Sequence, residues 1–245
     1  MKRISVLMII AIIAINLCII GYAQQNDALK ILTKVDEVSS APEDQHIKST
    51  MILVDKSGNQ KERKMVIYQK GGDKRLVRFL SPPDQKGISF LSLPNDLMYL
   101  YLPAFRKVRM IASHVKNQNF AGTDFSYDDM SSFSFAKEYN PKLLKTTDTF
   151  YLLKLTPKTE IEKDYSQLKM WVNKDSFVPS KIEYYDKNVN LWKTLAFDNI
   201  EKVGNYRIAK EMEMKDLKKS HSTKMTINEI KLDSGLLDDI FTKRN

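Results

Sequence analysis

From His46 onward the apolar residues recur at every second position, in short runs separated by turn-forming residues. That repeated period of two restricts the chain to an antiparallel β architecture more firmly than any other feature. The first six runs are 46–54, 63–68, 75–80, 88–93, 97–102 and 105–111, punctuated by Lys56-Ser57-Gly58-Asn59, Gly71-Gly72 and Pro82-Pro83. Residues 112–141 are less regular, with a short helix expected over 127–132. The runs then resume at 150–156, 168–173, 181–185, 192–197, 206–212 and 223–231, and 236–241 is a short apolar tail. Strands at hairpin spacing predict a mainly β (α+β) fold, a large antiparallel sheet or barrel, rather than a parallel α/β fold.

Ahead of the strands the period changes. Ala28, Ile31, Leu32 and Val35 fall at helical spacing while Lys30, Lys34 and Glu37 fall elsewhere, and Asn26 or Asp27 can cap the start. One amphipathic helix is expected there, running through Ser39. The runs 51–54 and 97–102 carry apolar residues at successive positions. Strands buried on both faces read this way, and so do strands lining an apolar cavity.

The N-terminus is of a different kind. Met1-Lys2-Arg3 is a positive start, residues 4–20 are apolar except for Ser5 and Asn16, and Gly21-Tyr22-Ala23 precedes a polar stretch. This is the layout of a secretory signal peptide, with cleavage expected after Ala23. The run is short for a membrane span. Cys18 follows Leu17 rather than a small residue, which does not suit lipidation. Cleavage would remove the only Cys, as suits an oxidising compartment, and leave 24–245 as a single domain.

Charge narrows the partners. The net charge of +9 equals that of residues 56–116 alone, which hold 13 basic and 4 acidic residues. An exported chain with one basic, strand-rich stretch meets anionic lipid or acidic protein surfaces more readily than nucleic acid, and no nucleic-acid partner is expected. The equally simple alternative is a solubilising outer face. His46, His114 and His221 have no metal-ligand spacing, and HExxH, CxxC, GxSxG and dinucleotide motifs are missing. Asp124, Asp128 and Asp129 lack the alternation of a calcium loop. Neither an enzyme nor a cofactor or metal site is expected.

Three segments are denser in unusual residues than a plain sheet needs. These are Pro82-Pro83-Asp84-Gln85-Lys86-Gly87-Ile88-Ser89-Phe90-Leu91, Tyr101-Leu102-Pro103-Ala104-Phe105-Arg106-Lys107-Val108-Arg109-Met110-Ile111, and Phe120-Ala121-Gly122-Thr123-Asp124-Phe125-Ser126-Tyr127-Asp128-Asp129. In combination they resemble the bacterial outer-membrane lipoprotein-sorting proteins, a LolA-like group of exported lipid carriers. The likeness extends loosely through Lys169-Met170-Trp171-Val172 and residues 179–186 to Phe241-Thr242.

The resemblance implies an open, incomplete antiparallel β-barrel of about eleven strands, with the N-terminal helix and a helical insert covering its mouth. It implies a periplasmic role associated with the outer membrane, with lipid or lipoprotein acyl chains as cargo and peripheral membrane contact. A monomer is expected. The alternative is an accessory protein docking on an inner-membrane transporter of the resistance-nodulation-division (RND) type through the basic stretch. Cavity and lid candidates are Ile31, Leu32, Val35, Phe79, Phe90, Leu91, Tyr99, Tyr101, Phe120, Phe125 and Tyr127, with the two-faced strands supplying the wall. The motif residues are Pro82, Gly87, Pro103, Arg106, Arg109, Gly122, Asp124 and Asp129. Read from the residues alone, they shape the fold and lid or touch lipid and partner. Asp124 is expected to bond backbone amides in the irregular loop, or to pair with Arg106 or Arg109.

Overall fold

A computed structural model describes residues 26–131 and 134–243. The expected signal peptide, its cleavage point and Cys18 lie outside the described residues, as does Ser132 of the expected short helix. Residues 26–39 form helix α1. Ala28, Ile31, Leu32 and Val35 make its buried stripe, as their spacing predicts. Each such Leu, Ile or Val contributes about 1.5–3 kcal/mol by leaving water.

Thirteen strands follow in two meanders. The first is β1 (Asp44–Val54), β2 (Gln60–Lys70), β3 (Lys74–Ser81), β4 (Ser89–Leu93), β5 (Leu97–Leu102) and β6 (Lys107–Met110). The second is β7 (Tyr139–Thr146), β8 (Phe150–Pro157), β9 (Gln167–Asn173), β10 (Pro179–Tyr185), β11 (Leu191–Val203), β12 (Tyr206–Asp216) and β13 (His221–Leu232). They make one antiparallel sheet in the order β6-β5-β4-β3-β2-β1-β13-β12-β11-β10-β9-β8-β7. The first and last strands of the domain meet in its middle, where Met51 faces Met225. Among the described residues β6 and β7 do not pair with each other, so the sheet stays open.

This order dictates what the irregular segment must do. The chain leaves the sheet at one edge, β6, and re-enters at the other, β7. Residues 111–138 therefore have to cross from edge to edge. With α1 the described residues of this crossing pack on the inner face, in one core that includes Leu32, Met51, Phe79, Phe90, Phe120, Met170 and Met214. Two short helices lie in the crossing, α2 (Tyr127–Met130) and α3 (Phe135–Glu138).

The strand number corrects the expected eleven or so. The run missed by periodicity is β7, which contains Pro141. Proline cannot donate to a ladder, so it disguises a strand, but an edge strand tolerates it. At the other edge the expected run 105–111 shortens to β6, because Pro103–Phe105 is a 3₁₀ turn closed by Arg106 in the left-handed region, φ 49°. The two-faced strands resolve differently from one another. In β1, Met51 and Leu53 are buried inward while Ile52 and Val54 are half-buried outward. In β5, Met98 points into the core and Tyr99 supports a second, outer cluster of Leu76, Leu91 and Phe241. That outer cluster seats the apolar tail, whose approach is clamped by Asp44. Its carboxylate accepts from the Ser234, Gly235 and Leu236 backbone N–H groups and the Ser234 hydroxyl, at 2.7–2.9 Å.

Candidate functional site

The motif residues weld the first half of the crossing segment to the sheet. Phe120 lies stacked on Phe79, with ring centroids 5.5 Å apart, and packs against Phe90 at 5.6 Å and Tyr127 at 5.5 Å. Phe79, Phe90 and Phe120 are wholly buried. Arg63 on β2 covers the Phe79 ring at 5.5 Å and donates to the Ala121 carbonyl. Gly87, φ +86°, follows the cis Ser81-Pro82 bond and returns its N–H to the Phe79 carbonyl. A Cβ there would only touch Pro103, at 3.4 Å, so it is the left-handed backbone rather than crowding that calls for glycine. Gly122, φ +77°, completes the turn after Phe120.

Asp124 is pinned by partners nearly a hundred residues away; among the described residues its carboxylate takes neither the expected loop backbone amides nor Arg106 or Arg109. Its carboxylate accepts from the Thr223 hydroxyl at 2.7 Å and lies 2.6 Å from His221 Nδ1. Thr223 Oγ1 in turn accepts the Asp124 N–H at 3.0 Å. The buried Lys193 ammonium donates to the Asp124 carbonyl at 2.8 Å. β11 and β13 thus hold the loop directly. Asp129 closes a capping box on α2, accepting from the Ser126 N–H at 2.8 Å while its own N–H donates to Ser126 Oγ at 2.9 Å.

The second half of the crossing lies over a cavity of about 280 Å³. That is near the lower end for small-molecule sites. The wall comes from Ile47, Ile67, Ile182, Tyr184, Leu195, Phe197, Met212, Met225 and Ile227 on six strands. Val38 and Ser39 at the end of α1, and Phe125, Met130 and Phe135 of the crossing, cover it. Two polar devices hold the cover. Asp36 of α1 accepts from the Phe135 N–H at 3.0 Å, the Ala136 N–H at 2.8 Å and the Ser134 hydroxyl at 2.5 Å. Arg75 of β3 donates through Nη1 to the Ser131 carbonyl at 3.0 Å and more weakly to that of Met130 at 3.4 Å. Its Nε donates to Gln69 at 3.0 Å. Burial pushes the Arg75 guanidinium down to about 10.

One buried cation joins the two halves. Lys163 meets Asp128 of α2 and, at 2.6 Å, Glu138 of α3. Burial pushes both carboxyls up, and Lys163 offsets only part of that. For Lys163 burial pulls the other way, and the two carboxylates more than compensate, holding it above the ordinary lysine range.

The expected cavity residues divide accordingly. Of the eleven, Phe125 alone lines the cavity. Ile31, Leu32 and Val35 bind α1 to the core one turn before the cavity, and Phe79, Phe90, Phe120 and Tyr127 form the aromatic anchor. Leu91 and Tyr99 lie on the outer face, as does Tyr101, which faces Ser89 across the ladder two residues from Tyr99. Arg106 and Arg109 are exposed on the β5–β6 hairpin. Asp129 lines the cavity as well as capping α2. Arg75 was missed, although it shares its strand face with Val77 and Phe79, so the two-residue period already pointed it inward.

A family model whose description reads "-like: Uncharacterized protein" matches residues 71–245. No curated protein matches the chain. A domain from Vibrio parahaemolyticus, named for outer membrane lipoprotein sorting, is similar at 29% identity and TM-score 0.81, covering 90% of this chain and 98% of that one. A DUF1329 family protein from Desulfovibrio piger is similar at 26% identity and TM-score 0.84, again over 90% and 98%. A LolA superfamily protein from Nitrosomonas europaea, 22% identical over 89% and 98% with TM-score 0.74, shares the fold.

Proposed function

We propose that this chain, which belongs to the family whose model matches residues 71–245 and shares its fold with the outer membrane lipoprotein-sorting and DUF1329 structures, is a periplasmic carrier that binds lipid or lipoprotein acyl chains and helps to sort them toward the outer membrane. The observation that carries this reading is the apolar cavity between the central strands and a cover held by a few polar contacts. Each buried CH₂ of a chain contributes about 0.8 kcal/mol, so a modest cavity suffices to carry acyl chains through water. Polar hinges make reversible opening cheap, since each bond given up to water costs about 0.5–1.5 kcal/mol net. The protein would act as a monomer and make or break no covalent bond.

Native mass spectrometry with lipid extraction of the purified protein tests this. Co-purifying acyl lipid is expected, and Ala209→Trp, which fills the cavity from β12, should strip most of it. A protein that leaves the cell empty and refuses every lipid offered would sink the proposal.

A second reading rests on the β5–β6 hairpin. Phe105 and Met110 are 66% and 65% exposed there, Val108 is exposed too, and Arg106, Lys107 and Arg109 stand among them on an unpaired edge strand. A basic edge with exposed apolar residues suits docking on an acidic protein surface, and an RND-type inner-membrane transporter is the proposed partner. Reversing Arg106, Lys107 and Arg109 to Glu should abolish co-purification with that transporter at physiological salt. Undiminished capture by the triple variant would refute it.

A further inference from the structure

The cavity is not uniformly apolar, and its polar groups gather at one end. Arg75 faces Gln69 across the β2–β3 ladder, and Gln69 faces Gln45 across β1–β2. These three make a polar row at the end of the sheet where β1 and β3 begin and β13 finishes. Arg207 stands one residue into β12, whose start lies at that same end. Arg75, Gln45 and Arg207 all line the cavity. Leu195, Ile182, Met212 and Met225 line it further along their strands, toward the opposite end. A polar end followed by an apolar wall is the shape of an amphiphile's site rather than of a plain hydrocarbon slot.

The charge at the polar end is one-sided. The lining holds two guanidinium groups and a single carboxylate, that of Asp129, which is engaged by the Ser126 N–H and hydroxyl. Among the described residues Arg75 is met only by neutral acceptors, namely Gln69 and the Met130 and Ser131 carbonyls. Among the described residues no carboxylate comes within 4.0 Å of it. A half-buried cation given no countercharge gains more from an anion than from a neutral partner.

Resting on the carrier reading above, we infer that the preferred cargo is an amphiphile with an anionic head group, an oxyanion such as a carboxylate or phosphate, seated at the Arg75–Arg207 end with its acyl chain along Met212 and Met225. The oxyanion offers Arg75 a charged acceptor in place of the Met130 and Ser131 carbonyls. Head-group binding and release of the cover are then one event, because both compete for the same guanidinium.

Equilibrium dialysis of the purified, delipidated protein against three ligands of equal chain length tests this. The ligands are palmitate, palmitoyl-lysophosphatidylglycerol and the neutral monopalmitoylglycerol. Both anions should bind about tenfold or more tightly than the neutral ligand. Whichever anion binds tighter identifies the head group as carboxylate or phosphate. Arg75→Gln should erase most of this preference. Arg207→Gln, a substitution at an exposed position, should reduce it without disturbing the cover. A purely structural Arg75 would weaken all three ligands in parallel and leave their ratio unchanged. Equal binding of the three by the unaltered protein overturns the inference while leaving the carrier reading intact. Failure to bind any of them overturns both.

Discussion

Residues 119–129 and residues 134–138 belong to one connection between the two edges of the sheet, yet they are held by different chemistry. The first part buries a cluster of rings and a carboxylate pinned by Thr223, His221 and, through its carbonyl, Lys193. The second part has few core residues and depends on Asp36, with Arg75 gripping the chain just before it at Met130 and Ser131. Close-packed apolar contacts are lost only by opening the core, whereas polar contacts at a cavity rim exchange readily with water or ligand. The difference teaches where movement can occur. The residues of the densest sequence motif form the fixed end of the cover, and its hinged end lies beyond them.

The sharpest test of the fixed end is Phe120→Ala. It removes a wholly buried ring that touches Phe79, Phe90 and Tyr127, and a loss of about 4 kcal/mol is expected in denaturant unfolding. A cost under about 1 kcal/mol would mean that the loop is not anchored by this cluster, and the contrast between the two parts would fail.

How much of this could be read from residues alone follows the range of the interactions. The helix stripe of Ala28, Ile31, Leu32 and Val35, twelve of the strands and the apolar tail are local patterns, and periodicity recovers them. β7 escaped because Pro141 interrupts the pattern that an edge strand does not require. The partners of Asp124 escaped for another reason. Thr223 and His221 lie 99 and 97 residues away, and only the register between distant strands brings them together. The cavity wall is of the same kind. Met212, Met225, Leu195 and Ile47 stand on four strands, and nothing local distinguishes them from ordinary inward residues. Motif density marks the anchor, where backbone geometry demands particular residues such as Gly87 at φ +86°, and not a wall where any apolar residue of suitable size serves.

Lys163 probes the link between the parts. Lys163→Met leaves Asp128 and Glu138 buried together without their cation, and a loss of about 3 kcal/mol is expected at pH 7. The sign of its pH dependence is fixed by the direction of the shifts. Burial already raises both carboxyls. The cost of a raised acid is complete above its folded value and is relieved as pH falls through it. The variant's deficit against the unaltered protein should therefore shrink between pH 7 and pH 5, as read by urea unfolding at both values. A deficit that grows on acidification would show that the carboxylates are not the groups left stranded.

The smallest effect falls on the hinged end. Asp36→Ala removes the acceptor for the Phe135 and Ala136 N–H groups and the Ser134 hydroxyl, in effect a helix cap supplied from another helix. Caps of this kind contribute about 1 kcal/mol, so the midpoint of global unfolding should move little. Amide hydrogen exchange reads the local consequence. Loss of about 1 kcal/mol from a local opening speeds exchange roughly fivefold. That acceleration should be confined to residues 134–138, with residues 119–127 unchanged. Because α1 ends at the cavity with Val38 and Ser39, a loosened α3 should also speed lipid release from a loaded protein without altering what is bound. If exchange quickens equally at both ends of the crossing, the cover moves as one body, and the distinction between anchor and hinge does not hold. If it quickens at 134–138 alone, the motif is an anchor that lets the other end open.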